Sequence, residues 1–184
     1  MGTYVNPGNE SFRLAHNSDI YMDKTGLLEI LNHSIGKENH LFAVSRARRF
    51  GKSMAAGMLD AYYSRGCDSR ELFSKYEIAK APDYETHLNK YNVLHFDAST
   101  FLNAAKTPEE VIPMMDRRLL RGMREEFSCL NSLDPEDTAD AIDLVYENEG
   151  VQFVVIIDEW ECIIRDAKDN ERLITEYLKY LRGF

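Results

Sequence analysis

The sequence predicts an α/β domain in which helices cover both faces of a mostly parallel sheet, giving three layers. Three short apolar runs, the third rich in β-branched residues, alternate with segments of helical periodicity. The third run, residues 152–157, is typical of a strand buried on both faces, because its apolar residues are continuous. The 184 residues are 44% hydrophobic, which excludes a disordered chain and indicates a single domain.

The first third of the chain contains a lead-in, a helix, a strand and a second helix. Residues 1–36 are predicted to form the lead-in and a helix capped by Asp23 and ending near Gly36. Residues 41–45 are predicted to form the first strand, since they are a short apolar run. A helix follows after a basic turn and ends near Gly66.

The remainder continues the alternation of helices and strands. Residues 84–90 predict a short helix, and residues 92–96 predict the second strand. Thr, Pro and Glu within residues 107–110 form a capping box that opens the next helix, and Asp134 before a proline repeats the start signal. After the third strand, apolar residues recur at helical spacing up to Leu181, which predicts a last helix.

Charge and cysteine content restrict the function classes. The formal net charge of −9 argues against a broad nucleic-acid or anionic-membrane surface. Cys67, Cys129 and Cys162 are odd in number and far apart, as in proteins of a reducing compartment. No secretion signal or membrane-spanning run is present in the sequence, so we expect a cytoplasmic protein without a membrane partner.

A basic segment between the first strand and its helix carries the main chemical signal. Gly51, Lys52 and Ser53 match the end of the Walker A pattern G-x-x-x-x-G-K-[ST], while Arg46 stands where its first glycine would be. A helix N-terminus supplies N–H donors and partial positive charge to a polyphosphate. The predicted nucleotide-binding residues are Arg46, Ala47, Arg48, Arg49, Phe50, Gly51, Lys52, Ser53 and Met54.

A second signal lies at the end of the third strand. Asp158 and Glu159 follow the apolar run directly, as in a Walker B element, although a polar pair can also simply end a strand. Asp158 is expected to hold Mg²⁺ together with Ser53, and Glu159 to act on the attacking water. Asp97 also ends a strand. Membership of the same site and an ordinary role where a strand turns into a loop explain this position equally well. Trp160, the single tryptophan, is an adjacent spectroscopic reporter.

Four segments resemble one protein family. They are residues 19–25 (DIYMDKT), 46–53 (RARRFGKS), 62–67 (YYSRGC) and 156–160 (IIDEW). Over nearly its whole length the chain resembles the bacterial AAA-ATPase-like proteins, which are predicted AAA-type ATPases. The resemblance implies that Arg46 is a family trait, whereas Ala47 replaces a usual proline and Glu161 a more usual Asp.

The resemblance also implies elements that this sequence does not supply. The resemblance implies a five-stranded phosphate-loop NTPase core, often followed by a C-terminal nuclease-like domain. We therefore expect an N-terminal part of one AAA-like domain, truncated after the Walker B strand and the following helix. Unpaired strands would then favour self-association, and nucleic acid would be contacted only through the missing domain.

These observations predict a Mg-ATP-binding NTPase core of AAA type, with ATP and Mg²⁺ as cofactors and Lys52 and Glu159 as catalytic residues. Hydrolysis is expected only in the full-length protein. One alternative is a P-loop phosphotransferase, in which Glu159 is not needed to activate water. Another is a non-catalytic interaction module of a defence or regulatory assembly, with Arg46 blocking the loop.

Overall fold

The chain divides into two units in a computed structural model that describes residues 4–17, 21–38, 40–44, 51–167 and 170–184. The N-terminal unit is Asn6–Val93, and the C-terminal unit combines Met1–Val5 with Leu94–Phe184. The expectation of one domain over all 184 residues stays a prediction.

The N-terminal unit is helical and has an aromatic core. Its elements are α1 (Glu10–His16), α2 (Gly26–Asn32), α3 (Lys52–Tyr63), α4 (Arg70–Phe73), a 3₁₀ helix (Glu77–Lys80) and α5 (Tyr84–His87). Phe12 of α1 stacks on Phe73 at a ring-centroid distance of 4.9 Å. Helix α3 approaches α1 closely because Gly57 lacks a side chain: a Cβ there would lie 2.8 Å from Ser11 Oγ.

The prediction of a first strand over residues 41–45 is wrong for residues 41–44, which the structure describes without any strand. Leu41 is 81% exposed, Phe42 46% and Val44 50%. A strand requires neighbouring backbone partners and burial of at least one face. Neither condition holds here, so the apolar composition alone misled the prediction. Ser45 lies outside the described residues.

The C-terminal unit contains a small parallel sheet of two strands surrounded by helices. Its elements are β1 (Asn92–Asp97), whose first two residues belong to the N-terminal unit, α6 (Ala98–Ala104), a 3₁₀ helix (Pro108–Glu110), α7 (Val111–Glu126), α8 (Leu130–Leu133), α9 (Thr138–Glu149), β2 (Phe153–Asp158), α10 (Cys162–Asp166) and α11 (Glu171–Leu181). The α/β class is confirmed at this level.

The second and third predicted strands correspond to β1 and β2 within one residue at each end. The expectation that the third is buried on both faces is wrong, because Ile156 is the only buried residue of β2 and its other residues are half-buried. With two strands in the described sheet, β2 has β1 as its hydrogen-bonded neighbour and its side chains are only partly covered.

Two helix starts that the sequence predicts in this unit differ from the observed ones in their capping residues. Thr107 makes no side-chain cap, and Glu110 instead accepts a hydrogen bond from Lys106 N at 3.0 Å. Helix α9 is capped by Asp137, which accepts from Asp140 N at 2.9 Å, rather than by Asp134. An Asp three residues before the correct one carries the same local signal.

The core of the C-terminal unit joins β1, α7, α9, α10 and α11. Its buried side chains include Leu94, Phe96, Phe101, Val111, Met115, Leu119, Met123, Phe127, Val145, Ile163, Leu173 and Tyr177. Within the described ranges, no helix has both the length and the apolar character needed to cross a membrane.

Candidate functional site

Gly51 is the residue that precedes helix α3. It has φ 77° and ψ 32°, the left-handed conformation that glycine adopts without a steric penalty. Its carbonyl accepts the first hydrogen bond of the helix, from Ala55 N at 3.0 Å. The glycine of the predicted Walker A element therefore sits where the chain turns sharply into a helix.

Lys52 and Ser53 form the first turn of α3, as the sequence predicts. Lys52 is half-buried, Ser53 is exposed, and Met54 is 40% exposed. From Ala56 onward most of the helix is buried, so packing holds a solvent-accessible first turn in place. The other predicted loop residues lie outside the described residues: Arg46, Ala47, Arg48, Arg49 and Phe50.

A second lysine lies against this turn, and sequence reasoning gave it no role. Lys24 Nζ is 3.5 Å from the carbonyl oxygen of Gly51. A Cβ built on Gly51 would collide with the same nitrogen. The available signal was that Lys24 belongs to residues 19–25, one of the segments that carry the family resemblance.

Asp158 and Glu159 lie at the carboxyl end of β2, as predicted. Asp158 Oδ1 accepts a hydrogen bond from Glu159 N at 3.0 Å. Glu159 has φ 50°, which is uncommon for a residue with a side chain, and its carbonyl accepts from Cys162 N at 2.9 Å. Backbone conformations of this kind concentrate at functional sites, where surrounding contacts maintain them.

One such contact comes from α11. The hydroxyl of Tyr177, which is fully buried, donates to the carbonyl oxygen of Trp160 at 3.0 Å. The turn after β2 is therefore held from inside the core. Nothing in the local pattern around Tyr177 identifies it as a support for the acidic pair, since the contact joins residues 17 positions apart.

Asp97 occupies the corresponding end of β1, the neighbour of β2 in the sheet. Its carboxylate caps α6 by accepting from Ser99 N at 2.8 Å. Burial is the main cause that raises the pKa of the Cys162 thiol to about 11; Arg165 lowers this pKa, and the carboxylates of Asp97, Asp166 and Glu159 raise it. Asp97 and Asp158 end neighbouring strands of the sheet and therefore lie at one edge of it. Asp97 has a structural contact there, and its chemical role stays a prediction.

The donors that the predicted Mg²⁺ site offers are few. Among the described residues, no group of three or more His, Cys, Asp or Glu side chains is arranged to hold a metal ion. Mg²⁺ is commonly bound by one or two carboxylates, with phosphate oxygens and water completing its coordination. The single carboxylate of Asp158 fits that mode. Ser53 and Asp158 belong to different units, so their joint action is a proposal.

The comparison with protein families gives one match. The family described as "Predicted AAA-ATPase" matches residues 8–184, a range that includes every predicted site residue. No curated protein and no solved structure matches the chain significantly.

Proposed function

This chain belongs to the AAA-ATPase-like family of predicted AAA-ATPases, and we propose that its function depends on a nucleotide. It binds Mg-ATP through the start of α3, and it is the nucleotide-binding core of an ATPase. The geometry of Gly51 carries the proposal. A left-handed glycine followed directly by Lys52 and Ser53 in the first turn of a buried helix is the arrangement that a phosphate loop requires.

Each residue has a distinct task in this proposal. Lys52 neutralises charge on the β and γ phosphates, while the N–H groups of the first helical turn orient the phosphate oxygens. Ser53 and Asp158 hold Mg²⁺, which when bound offsets the negative charge that accumulates on the phosphates during transfer. Glu159 orients the attacking water and accepts its proton.

Binding is tested by titrating Mg-ATP and Mg-GTP against the fluorescence of Trp160, which adjoins Glu159 and is half-buried. We expect a saturable change that Lys52→Ala abolishes. Lys37→Ala serves as the matched control, because Lys37 is an exposed lysine of the same unit. If neither fluorescence nor calorimetry detects nucleotide, the proposal is wrong and the interaction-module alternative takes its place.

Hydrolysis is tested separately by measuring phosphate release. Glu159→Gln should remove turnover and preserve Mg-ATP binding, whereas Glu147→Gln, at an exposed position of α9, should change neither. Phosphate transfer to an acceptor that is unaffected by Glu159→Gln would instead support the phosphotransferase alternative.

A further inference from the structure

The sheet of the C-terminal unit is closed along one side and open along the other. Strand β1 has β2 on one side, and on its other side an antiparallel bridge joins Leu94 to Val5. His95 N also donates to the Tyr4 carbonyl at 2.8 Å on that side. Within the described ranges β2 has β1 as its one neighbouring strand, so the sheet can be extended at the outer edge of β2.

This outer edge lacks the features that keep edge strands apart. Edge strands of soluble proteins commonly carry a charged side chain, a proline or a bulge that prevents pairing with another chain. Residues 151–157, VQFVVII, contain neither a charge nor a proline. Phe153, Val155 and Ile157 pack against the core and remain half-buried, while Ile156, on the opposite face, is buried. Strand β2 therefore has the composition of a strand inside a sheet.

We propose that β2 pairs with β2 of a second copy of this chain, so that the two sheets become one across a symmetric dimer. A twofold axis perpendicular to the sheet makes the two strands antiparallel and places one residue opposite its own copy. Every copy carries the same edge, so donor and acceptor are present in equal number. The proposal is independent of nucleotide binding.

The sequence of β2 selects one register for this pairing. The apolar run 153–157 is symmetric about Val155, so an antiparallel pair centred there places each apolar residue opposite another. Gln152 then lies opposite Asp158 of the partner subunit, and its amide can donate to that carboxylate. A shift by one residue in either direction places Gln152 or Asp158 opposite an apolar side chain. A parallel pair would instead bring the two Asp158 carboxylates together, which repels.

Sedimentation equilibrium on the full chain tests the dimer and its register through Gln152, which is exposed. Gln152→Lys should lower the Kd of the dimer by about fivefold, because symmetry creates two ion pairs with Asp158. Gln152→Glu should raise the Kd by a similar factor, since it places like charges opposite each other. Both effects should diminish at high salt.

Asn131 provides the matched control, because it is an exposed amide residue on α8. Asn131→Lys and Asn131→Glu should leave the Kd unchanged. Charge reversal gives a second test: Gln152→Glu combined with Asp158→Lys should restore dimerisation relative to Gln152→Glu alone. If the double variant does not fold, the two single Gln152 variants decide the question.

Three results would overturn the proposal. The first is a wild type that stays monomeric at every concentration tested. The second is a dimer whose Kd is the same in Gln152→Lys, Gln152→Glu and the wild type. The third is association that responds to substitutions at Leu41 and Phe42 but not to those at Gln152, which would assign the contact to residues 41–44.

Discussion

Two glycines on either side of α3 have positive φ angles, Gly51 at 77° and Gly66 at 82°. An added Cβ at Gly66 meets nothing within 4 Å, whereas at Gly51 it collides with Lys24 Nζ. Gly66→Ala should therefore lose about 1–2 kcal/mol of unfolding free energy for the left-handed backbone alone. Gly51→Ala should lose more, and urea denaturation measures the difference.

A double variant tests whether Lys24 causes the larger loss of unfolding free energy in Gly51→Ala. Lys24→Ala combined with Gly51→Ala removes the colliding nitrogen, so the double variant should return to the loss seen with Gly66→Ala. Equal losses for the two single glycine variants would show that the ammonium group moves aside at no cost.

Tyr177 provides a second prediction at the residue scale. Tyr177→Phe removes the hydrogen bond to the Trp160 carbonyl and should reduce unfolding free energy by about 1 kcal/mol. Because the same turn carries Glu159, we also expect altered Trp160 fluorescence and reduced phosphate release with nucleotide affinity unchanged.

Tyr180→Phe is the matched control for this prediction. The Tyr180 hydroxyl, one turn later on α11, contacts Asp116 Oδ1 at 3.3 Å and Thr138 Oγ1 at 3.4 Å, both away from the turn after β2. It should lose stability without changing Trp160 fluorescence. An identical spectral change in both variants would argue against a specific support of the Glu159 turn by Tyr177.

At the scale of elements, the end of α3 depends on one asparagine. Asn89 Nδ2 donates to the carbonyl oxygens of Ala61 at 2.9 Å and Ser64 at 2.8 Å, and its Oδ1 accepts from Ser69 N at 2.9 Å. The last carbonyls of a helix have no intrahelical donor, so this side chain completes the C-terminus of α3. The backbone of Asn89 is also left-handed, with φ 56°.

Two substitutions separate these effects. Asn89→Gly tolerates the backbone conformation but deletes the hydrogen bonds, and should lose roughly 2 kcal/mol. Asn89→Ala should lose about 1 kcal/mol more, because alanine also disfavours φ 56°. Chemical denaturation of both variants measures the losses. Stability equal to that of the wild type in Asn89→Gly would show that water replaces the side chain fully.

The elements that the sequence predicted correctly are those with a complete local signal. Strands β1 and β2 are short, mainly apolar runs, and α7 and α11 have apolar residues at helical spacing. Residues 41–44 have the composition of a strand, but strand formation also requires a partner that composition cannot specify. Likewise, Gly51, Lys52 and Ser53 were predictable from their pattern. Lys24 was not, because a contact across 27 positions leaves no local trace.

At the scale of the whole molecule, residues 41–44 are the most exposed apolar segment among the described residues. A run of exposed apolar residues with strand propensity favours association between chains. We expect sedimentation velocity to detect concentration-dependent self-association, which the double substitution Leu41→Lys, Phe42→Ser should reduce. Leu133→Ser alters an apolar residue of 46% exposure elsewhere and should have no effect. Equal association of all three proteins would exclude this segment as the cause.

The two ends of the N-terminal unit are joined to each other. Asn6 N donates to the Val93 carbonyl at 2.8 Å, and Val93 N donates to Asn6 Oδ1 at 2.9 Å. Segments whose termini lie close together tolerate insertion into other chains, because the ends need no long linker to reach each other. The same adjacency makes this unit suitable for transplantation into a surface loop of an unrelated host protein, where it would present Lys24 and Lys52 in isolation from Asp158 and Glu159.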